Sequence, residues 1–489
     1  MNRMIILWLN FPVKTNFMKK LLVTILVFLF YSIVIDQAGN NFSAHASPNG
    51  THSNAQNDLI NPITSATITP EEAGMNSNRL ARIDSIVKDG IKKKAFPGCQ
   101  VLVLKGGKPV YAKCFGNYTY ETSPKVMPFT MYDLASLSKT TGTLLAIMKL
   151  YDDGELKLTD KASNYLTFLR GTDKENITIT DLLFHQSGLP AGLPFYSLAI
   201  EKNNTPAFLV SAADKSHFIR MGGNKVTGST YKYKLDWVSK IPSVEYTSQV
   251  SDSFFINNRF HDAAMLMIAR THLYSKAYVY SCVNFILLKE IAETISGTTL
   301  DAFLNSEFYI PMKLNNMAYL PLRTHKKEEI APTLKSDFLR YGVVQGYVHD
   351  PDAAFLGGVS GNAGLFATAG DVATVYQMIL NQGELDGKQY LSKETCKLFT
   401  TTTSASGRRG LGFDKPVPSK PLHTPCCISA PASVYGHTGY TGTCCWVDPV
   451  NKLIYVFLSN RTYPNDGENK LARMGVRTKI QEVIYQSMK

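Results

Sequence analysis

Serine and lysine three positions apart occur together three times in this chain: Ser85 with Lys88, Ser136 with Lys139, and Ser229 with Lys232. A serine hydroxyl becomes a nucleophile when a base takes its proton, and a desolvated lysine can be that base once its pKa is lowered. Spacing alone does not choose among the three, so their surroundings must. Ser85 and Lys88 lie in "SNRLARIDSIVKDGIKKK", where Leu80, Ile83, Ile86, Val87 and Ile91 recur at helical spacing, and an amphipathic helix accounts for both. Ser229 and Lys232 lie in "STYKYKLDW", an aromatic, basic, turn-like setting with no helix signal after it. Ser136, in "ASLSKTTGT", leads into the good helix former "LLAIMKLYDDGEL". That places Ser136 at a helix N-terminus, where unpaired N–H groups favour developing negative charge, with Lys139 on the same helix face.

The elements that must hold this pair are legible at both ends of the chain. "CQVLVLKGGKPVYAKCFG" predicts a hairpin turning at Gly106-Gly107, and "GTCCWVDPVNKLIYVFLSN" a second one across residues 448–451. A last helix is expected within residues 468–487. Between the hairpins the pattern turns helical, as in "NFILLKEIAETISG", with Gly297 as the C-terminal cap. The order predicts a discontinuous α/β (α+β) lobe built from both ends, an antiparallel sheet flanked by terminal helices, with a mostly helical lobe inserted. Residues 195–275 are the least readable and are expected to form a variable insertion or a lid.

With "ITITDLLFHQSGLP" (177–190), "YVYSCVNFILLKEI" (278–291), "GGVSGNAGLFATAGDVA" (357–373) and "YGHTGYTGTCCWVDP" (435–449), the Ser136 stretch resembles the serine β-lactamase and penicillin-binding-protein superfamily. The similarity is greatest to its class C-like, esterase-containing branch and covers about residues 72–489, motifs in family order. The resemblance implies an acylated Ser136, with Lys139 as its proton-transfer partner. Tyr280 matches the Tyr of a Tyr-x-Asn element that shares the base role and protonates the leaving group. His437, Thr438 and Gly439 occupy a Lys-Thr-Gly position, and the N–H of Tyr440 joins that of Ser136 as an oxyanion hole. His185 reads as structural. Two departures stand out: Cys282 replaces the Asn of Tyr-x-Asn, with Asn284 expected to begin the following helix, and His437 replaces a charged Lys. An imidazole of ordinary pKa at that point would make binding of carboxylated substrates strengthen in acid.

The implied substrate is a small molecule or peptide: a β-lactam, a D-amino-acid peptide of the cell wall, or an ester. The alternative is a catalytically weak penicillin-binding or sensing protein of the same fold. No cofactor is implied. An α/β-hydrolase needs Gly-x-Ser-x-Gly, and "GVSGN" fails it at Asn362. No His-Glu-x-x-His or His-x-His occurs among the ten histidines, so no metal site is expected. Nor is there a basic tract interleaved with aromatics to bind nucleic acid.

At the other end, Lys19-Lys20 precede the uncharged run "LLVTILVFLFYSIVI" at 21–35, and "AHA" follows at 44–46. The apolar run falls short of the roughly 20 residues that span a bilayer, which predicts a signal peptide over 1–46 and an exported, periplasmic or secreted protein. "MKKLLVTILVFLF", from Met18, is itself a complete signal-peptide opening. Membrane contact is expected only if this segment stays uncleaved as an anchor. Residues 47–71, polar and rich in Asn, Ser, Thr and Pro, read as a linker to a hydrolase domain over 72–489. Loss of residues 1–46 removes Arg3, Lys14, Lys19, Lys20 and Asp36, which takes the net charge from +12 to +9. None of the eight cysteines forms a Cys-x-x-Cys pair, which argues against structural zinc. Counting outward from Gly106-Gly107 sets Cys99 opposite Cys114 at a hydrogen-bonded position, poor geometry for a disulfide, so both are expected as thiols.

Overall fold

The computed structural model describes residues 68–488 apart from 122, 203–208, 218, 221–225, 229–230, 341, 406 and 418–423. The expected signal peptide, most of the linker, and Ser229 lie outside the described residues.

Helix α1 (Arg82–Lys92) is followed by β1 (Gly98–Lys105), β2 (Lys108–Gly116) and the short β3 (Tyr132–Asp133). Helices α2 (Leu144–Asp152) and α3 (Cys282–Ser296) belong to the inserted portion, as do β4 (Leu365–Ala367) and α4 (Ala369–Leu380). The chain returns through β5 (Tyr435–Thr438), β6 (Cys444–Asp448) and β7 (Leu453–Ser459) to helix α5 (Val476–Ser487). The principal sheet has the antiparallel order β5-β6-β7-β1-β2, so β1, from the N-terminal part, pairs with β7, from the C-terminal part.

Successive side chains of a strand point to opposite faces, and here both faces are covered. Val101, Val103, Tyr455 and Phe457 pack with Ile83 and Val87 of α1 and Ile480 and Ile484 of α5. Leu102, Leu104, Ile454, Val456 and Leu458 join the larger core with α2, α3 and α4. Two-sided burial is why these strands read as unbroken apolar runs.

The register of the first hairpin differs from the count made outward from its turn. A bulge between Val103 and Leu104 shifts the pairing by one, so Cys99 faces Phe115 and Cys114 faces Gln100. Both remain thiols, but because they are not partners at all. The described residues between 195 and 275 include two small sheets and the helix Phe260–Arg270. Phe195, Val238, Phe254 and Phe260 are buried in the main core, and Trp237 meets Phe260 edge-on at 5.5 Å.

Candidate active site

Strand β3 delivers the chain to Ser136 through a constrained turn. Ala135 has φ +47°, a conformation that costs an L-residue roughly 1–2 kcal/mol. The cost is offset by the fully buried Asp133, whose Oδ1 accepts the Ala135 N–H at 2.8 Å while Oδ2 accepts the His349 N–H at 2.6 Å. A 3₁₀ turn over Ala135–Leu137 then carries Ser136 into a wider π-helical turn over Lys139–Thr143 and on into α2. Ser136 thus begins the helical run, as its sequence suggests.

Lys139 is fully buried. Its Nζ donates to Ser136 Oγ at 3.0 Å and to the Asn362 carbonyl at 2.9 Å, and stands 3.5 Å from Cys282 Sγ. A lysine ammonium has three N–H donors, and three acceptors meet it. The rings of Tyr280 and Phe285 lie 5.2 and 5.8 Å away. Tyr280 leads into α3 at a point fixed from below: His185 Nδ1 accepts the Ser281 N–H at 3.0 Å, and its ring lies tilted against that of Tyr280, centroids 4.7 Å apart. Asn284, in the first turn of α3 as expected, donates to Leu182 O and accepts from Ser187 Oγ. It makes no contact with Lys139; Asn362 is the asparagine at this cluster, its backbone carbonyl meeting the lysine and its side chain hydrogen-bonded to Cys282.

The end of β5 closes the other side. Gly439 donates its N–H to Thr443 O at 2.8 Å, and a Cβ there would stand 2.4 Å from the Leu134 carbonyl, so only glycine lets this strand approach the Ser136 turn so closely. Thr441 and Thr443 donate to the Asp133 and Leu134 carbonyls at 2.7 and 2.8 Å, which ties the loop to the same turn. Thr438 is partly buried, and its carbonyl accepts from His437 Nδ1 at 2.7 Å. Neither Ser136 nor Tyr440 donates its N–H to another segment among the described residues.

The charges differ from expectation in two places. His437 is only 2% exposed, and burial, reinforced by Arg409 and Lys139 against the pull of Asp414, lowers its pKa to about 3. It is neutral at any physiological pH, so the expected acid-strengthened contact with a substrate carboxylate has no basis. Positive charge in this corner comes from Arg408 and Arg409, both paired with Asp414, the latter's guanidinium 5.8 Å from the Tyr280 ring. Lys139, meanwhile, is not depressed. Burial works against its ammonium, but the charges that Cys282, Tyr280 and Asp350 can carry outweigh that and hold its pKa above the ordinary value. Tyr280 and Cys282 are pushed up by burial, with Lys139 opposing. Cys282 keeps some surface contact, yet its sulfur lies against the buried Lys139 ammonium. The resting cluster therefore holds an ammonium, a phenol and a thiol, and it titrates as a unit.

Sequence reasoning missed Asp133, the Asn362 carbonyl, and the Arg408-Arg409-Asp414 group. The run "GRRGLGFD" at 407–414 was the available signal for the last of these. Ser85 and Lys88 are exposed on α1, in keeping with the packing explanation. Among the described residues no group of His, Cys, Asp and Glu is placed to hold a metal ion, and no helix is long and apolar enough to cross a membrane.

The family model described as beta-lactamase matches residues 83–475, and the chain belongs to that family. A relative from Escherichia coli O157:H7, named "Putative D-alanyl-D-alanine carboxypeptidase", is 30% identical over 422 residues, covering 81% of this chain and 85% of its own. The N-acetylmuramyl-L-alanine amidase of Bacillus subtilis (strain 168) is 28% identical over 478 residues, covering 90% and 96%. Among solved structures, EstCE1, a hydrolase with promiscuous acyltransferase activity, aligns with TM-score 0.57 at 18% identity over 83% of this chain and 99% of its own. A class C beta lactamase aligns with TM-score 0.56 at 18% identity, covering 83% and 98%. These two show the shared fold. The protein is a hydrolase of the beta-lactamase family.

Proposed function

We propose that this protein works through an acyl-enzyme on Ser136, and that its substrate is a D-amino-acid peptide of the cell wall, a β-lactam or an ester. The observation that carries the reading is the 3.0 Å contact between Lys139 Nζ and Ser136 Oγ inside a buried cluster. Once the Lys139–Tyr280 pair has lost one proton, it takes the proton of Ser136 Oγ, which attacks the substrate carbonyl. The N–H groups of Ser136 and Tyr440 hold the oxyanion. The proton passes to the leaving group, and water then releases the acyl group. The printed names of the two relatives, a carboxypeptidase and an amidase, support an amide bond of cell-wall material as the one cleaved.

Such a substrate lies outside the cytoplasm, and the basic, apolar opening of the chain supports export through residues 1–46, with the cleaved N-terminus in an envelope fraction as its check. The alternative of a protein that captures substrate without useful turnover has one feature in its favour, Cys282 in place of an amide. A chromogenic ester and a chromogenic β-lactam separate the two. Product that continues beyond one equivalent of enzyme supports the hydrolase; a burst that stops at one equivalent supports capture.

A further inference from the structure

The cleft in front of Ser136, about 610 Å³, is lined by Asp350, Asp466 and Glu468 together with His349 and Tyr440. In a chain with 51 basic and 39 acidic residues, three carboxylates at the mouth of the site run against the overall charge. Asp350 is the least compensated of the three. Asp466 accepts the Tyr440 hydroxyl at 3.0 Å and has Arg461 at 3.4 Å, an arginine already committed to the Tyr440 carbonyl and ring. Glu468 is set aside, because Arg473 pairs with it on the exposed surface. Asp350 accepts the Ala353 N–H at 2.7 Å, has no cation paired with it among the described residues, and its charge is felt at Lys139. A fourth acid of the lining, Asp337, is excluded because the buried Arg340 neutralises it.

An independent observation points to a ligand. His349 is 7% exposed, and its Nε2 has no hydrogen-bond partner. That atom faces Asp466 Oδ2 at 3.8 Å, too far for a hydrogen bond. With the ring proton on Nδ1, Nε2 is an acceptor, and two acceptors at that separation can both reach one donor nitrogen placed about 2.9 Å from each. The His349 backbone N–H is bound to Asp133, the residue that sets the Ser136 turn, so this position is keyed to the nucleophile. The groups do not converge as metal ligands do.

We propose that the cleft is a subsite for a primary ammonium group of the substrate, so that the bond attacked by Ser136 belongs to an amino-bearing peptide, amide or ester. This rests on the Ser136 acyl-enzyme reading and narrows its substrate class. The test compares two fluorophosphonates of equal length, one with an aminoalkyl tail and one with a neutral alkyl tail, by their second-order rate constants for labelling the full-length protein. A charge-assisted contact predicts about a ten-fold preference for the ammonium probe, shrinking in high salt. The preference should fall towards one in Asp466→Asn and in Asp350→Asn, changes that keep a side-chain acceptor for Tyr440 and for Ala353; the neutral probe reports whether each variant is folded. Equal labelling by both probes in the natural protein, or a preference that survives both substitutions and high salt, overturns the subsite while leaving Ser136 as nucleophile. Failure of both probes to label Ser136 overturns the acyl-enzyme reading, and the subsite with it.

Discussion

The same four-residue pattern sits in two environments in this molecule. On α1, Ser85 and Lys88 point into water, where a hydrogen bond or ion pair contributes at most about 1 kcal/mol. In the turn before α2, Lys139 is fully enclosed, and an ammonium so placed without partners would cost several kcal/mol. The fold therefore surrounds it with Ser136 Oγ, the Asn362 carbonyl and Cys282 Sγ. Spacing supplies only reach; enclosure, and the groups enclosed with the lysine, turn reach into chemistry.

The comparison breaks most sharply at the serines. Ser136→Ala should lower turnover of a chromogenic ester by at least about 10³-fold, whereas Ser85→Ala should leave it within about two-fold. Comparable losses in both would dissolve the distinction. The lysines follow. Lys139→Met should cost about 10²–10⁴ in kcat, and Lys88→Met almost nothing. In the proposed mechanism Lys139 and Tyr280 together lose a proton before Ser136 is activated, so kcat/KM of the natural protein should rise with pH, and the rising limb should be lost in Lys139→Met.

Smaller effects sharpen the account of the enclosed site. Cys282→Asn restores an amide beside Lys139 and should raise acylation by penicillins about five-fold more than hydrolysis of a small ester, a difference near 1 kcal/mol. Equal effects on both would make Cys282 a packing residue. The smallest effect concerns His437. With its pKa near 3, the imidazole stays neutral from pH 5.5 to 8.5, so the ratio of kcat/KM for a carboxylated and a neutral substrate should be flat there. A ratio that climbs as pH falls through 6.5 would show that His437 is charged by substrate and restore it to carboxylate recognition.

What the sequence made legible was local. Apolar runs, turn glycines and helix periodicity located both hairpins and the terminal helices, and the Ser136 motif announced the start of a helical run. What it hid depended on tertiary enclosure. A single bulge, invisible in an apolar run, moved Cys99 and Cys114 out of register. Asp133, Asn362 and the Arg409–Asp414 pair come from three separate segments and acquire meaning only when folded around Lys139 and Tyr280. His437 was legible as a strand residue, but its neutrality follows from neighbours 23 to nearly 300 positions away, Asp414 and Lys139 among them. Phe195, Tyr196, Tyr231, Phe254 and Phe260 lack clean periodicity because short strands, turns and one helix bring them into a shared core.

The central claim is that Ser136 carries the acyl group. Incubation with a fluorescent penicillin and with a fluorophosphonate, followed by proteolysis and mass mapping, tests it most directly. The account predicts a single adduct from the fluorophosphonate on the peptide that contains Ser136, the penicillin adduct on the same residue where penicillin reacts, and no adduct in Ser136→Ala protein. Covalent labelling retained in Ser136→Ala, or mapped to another residue in the natural protein, would contradict it.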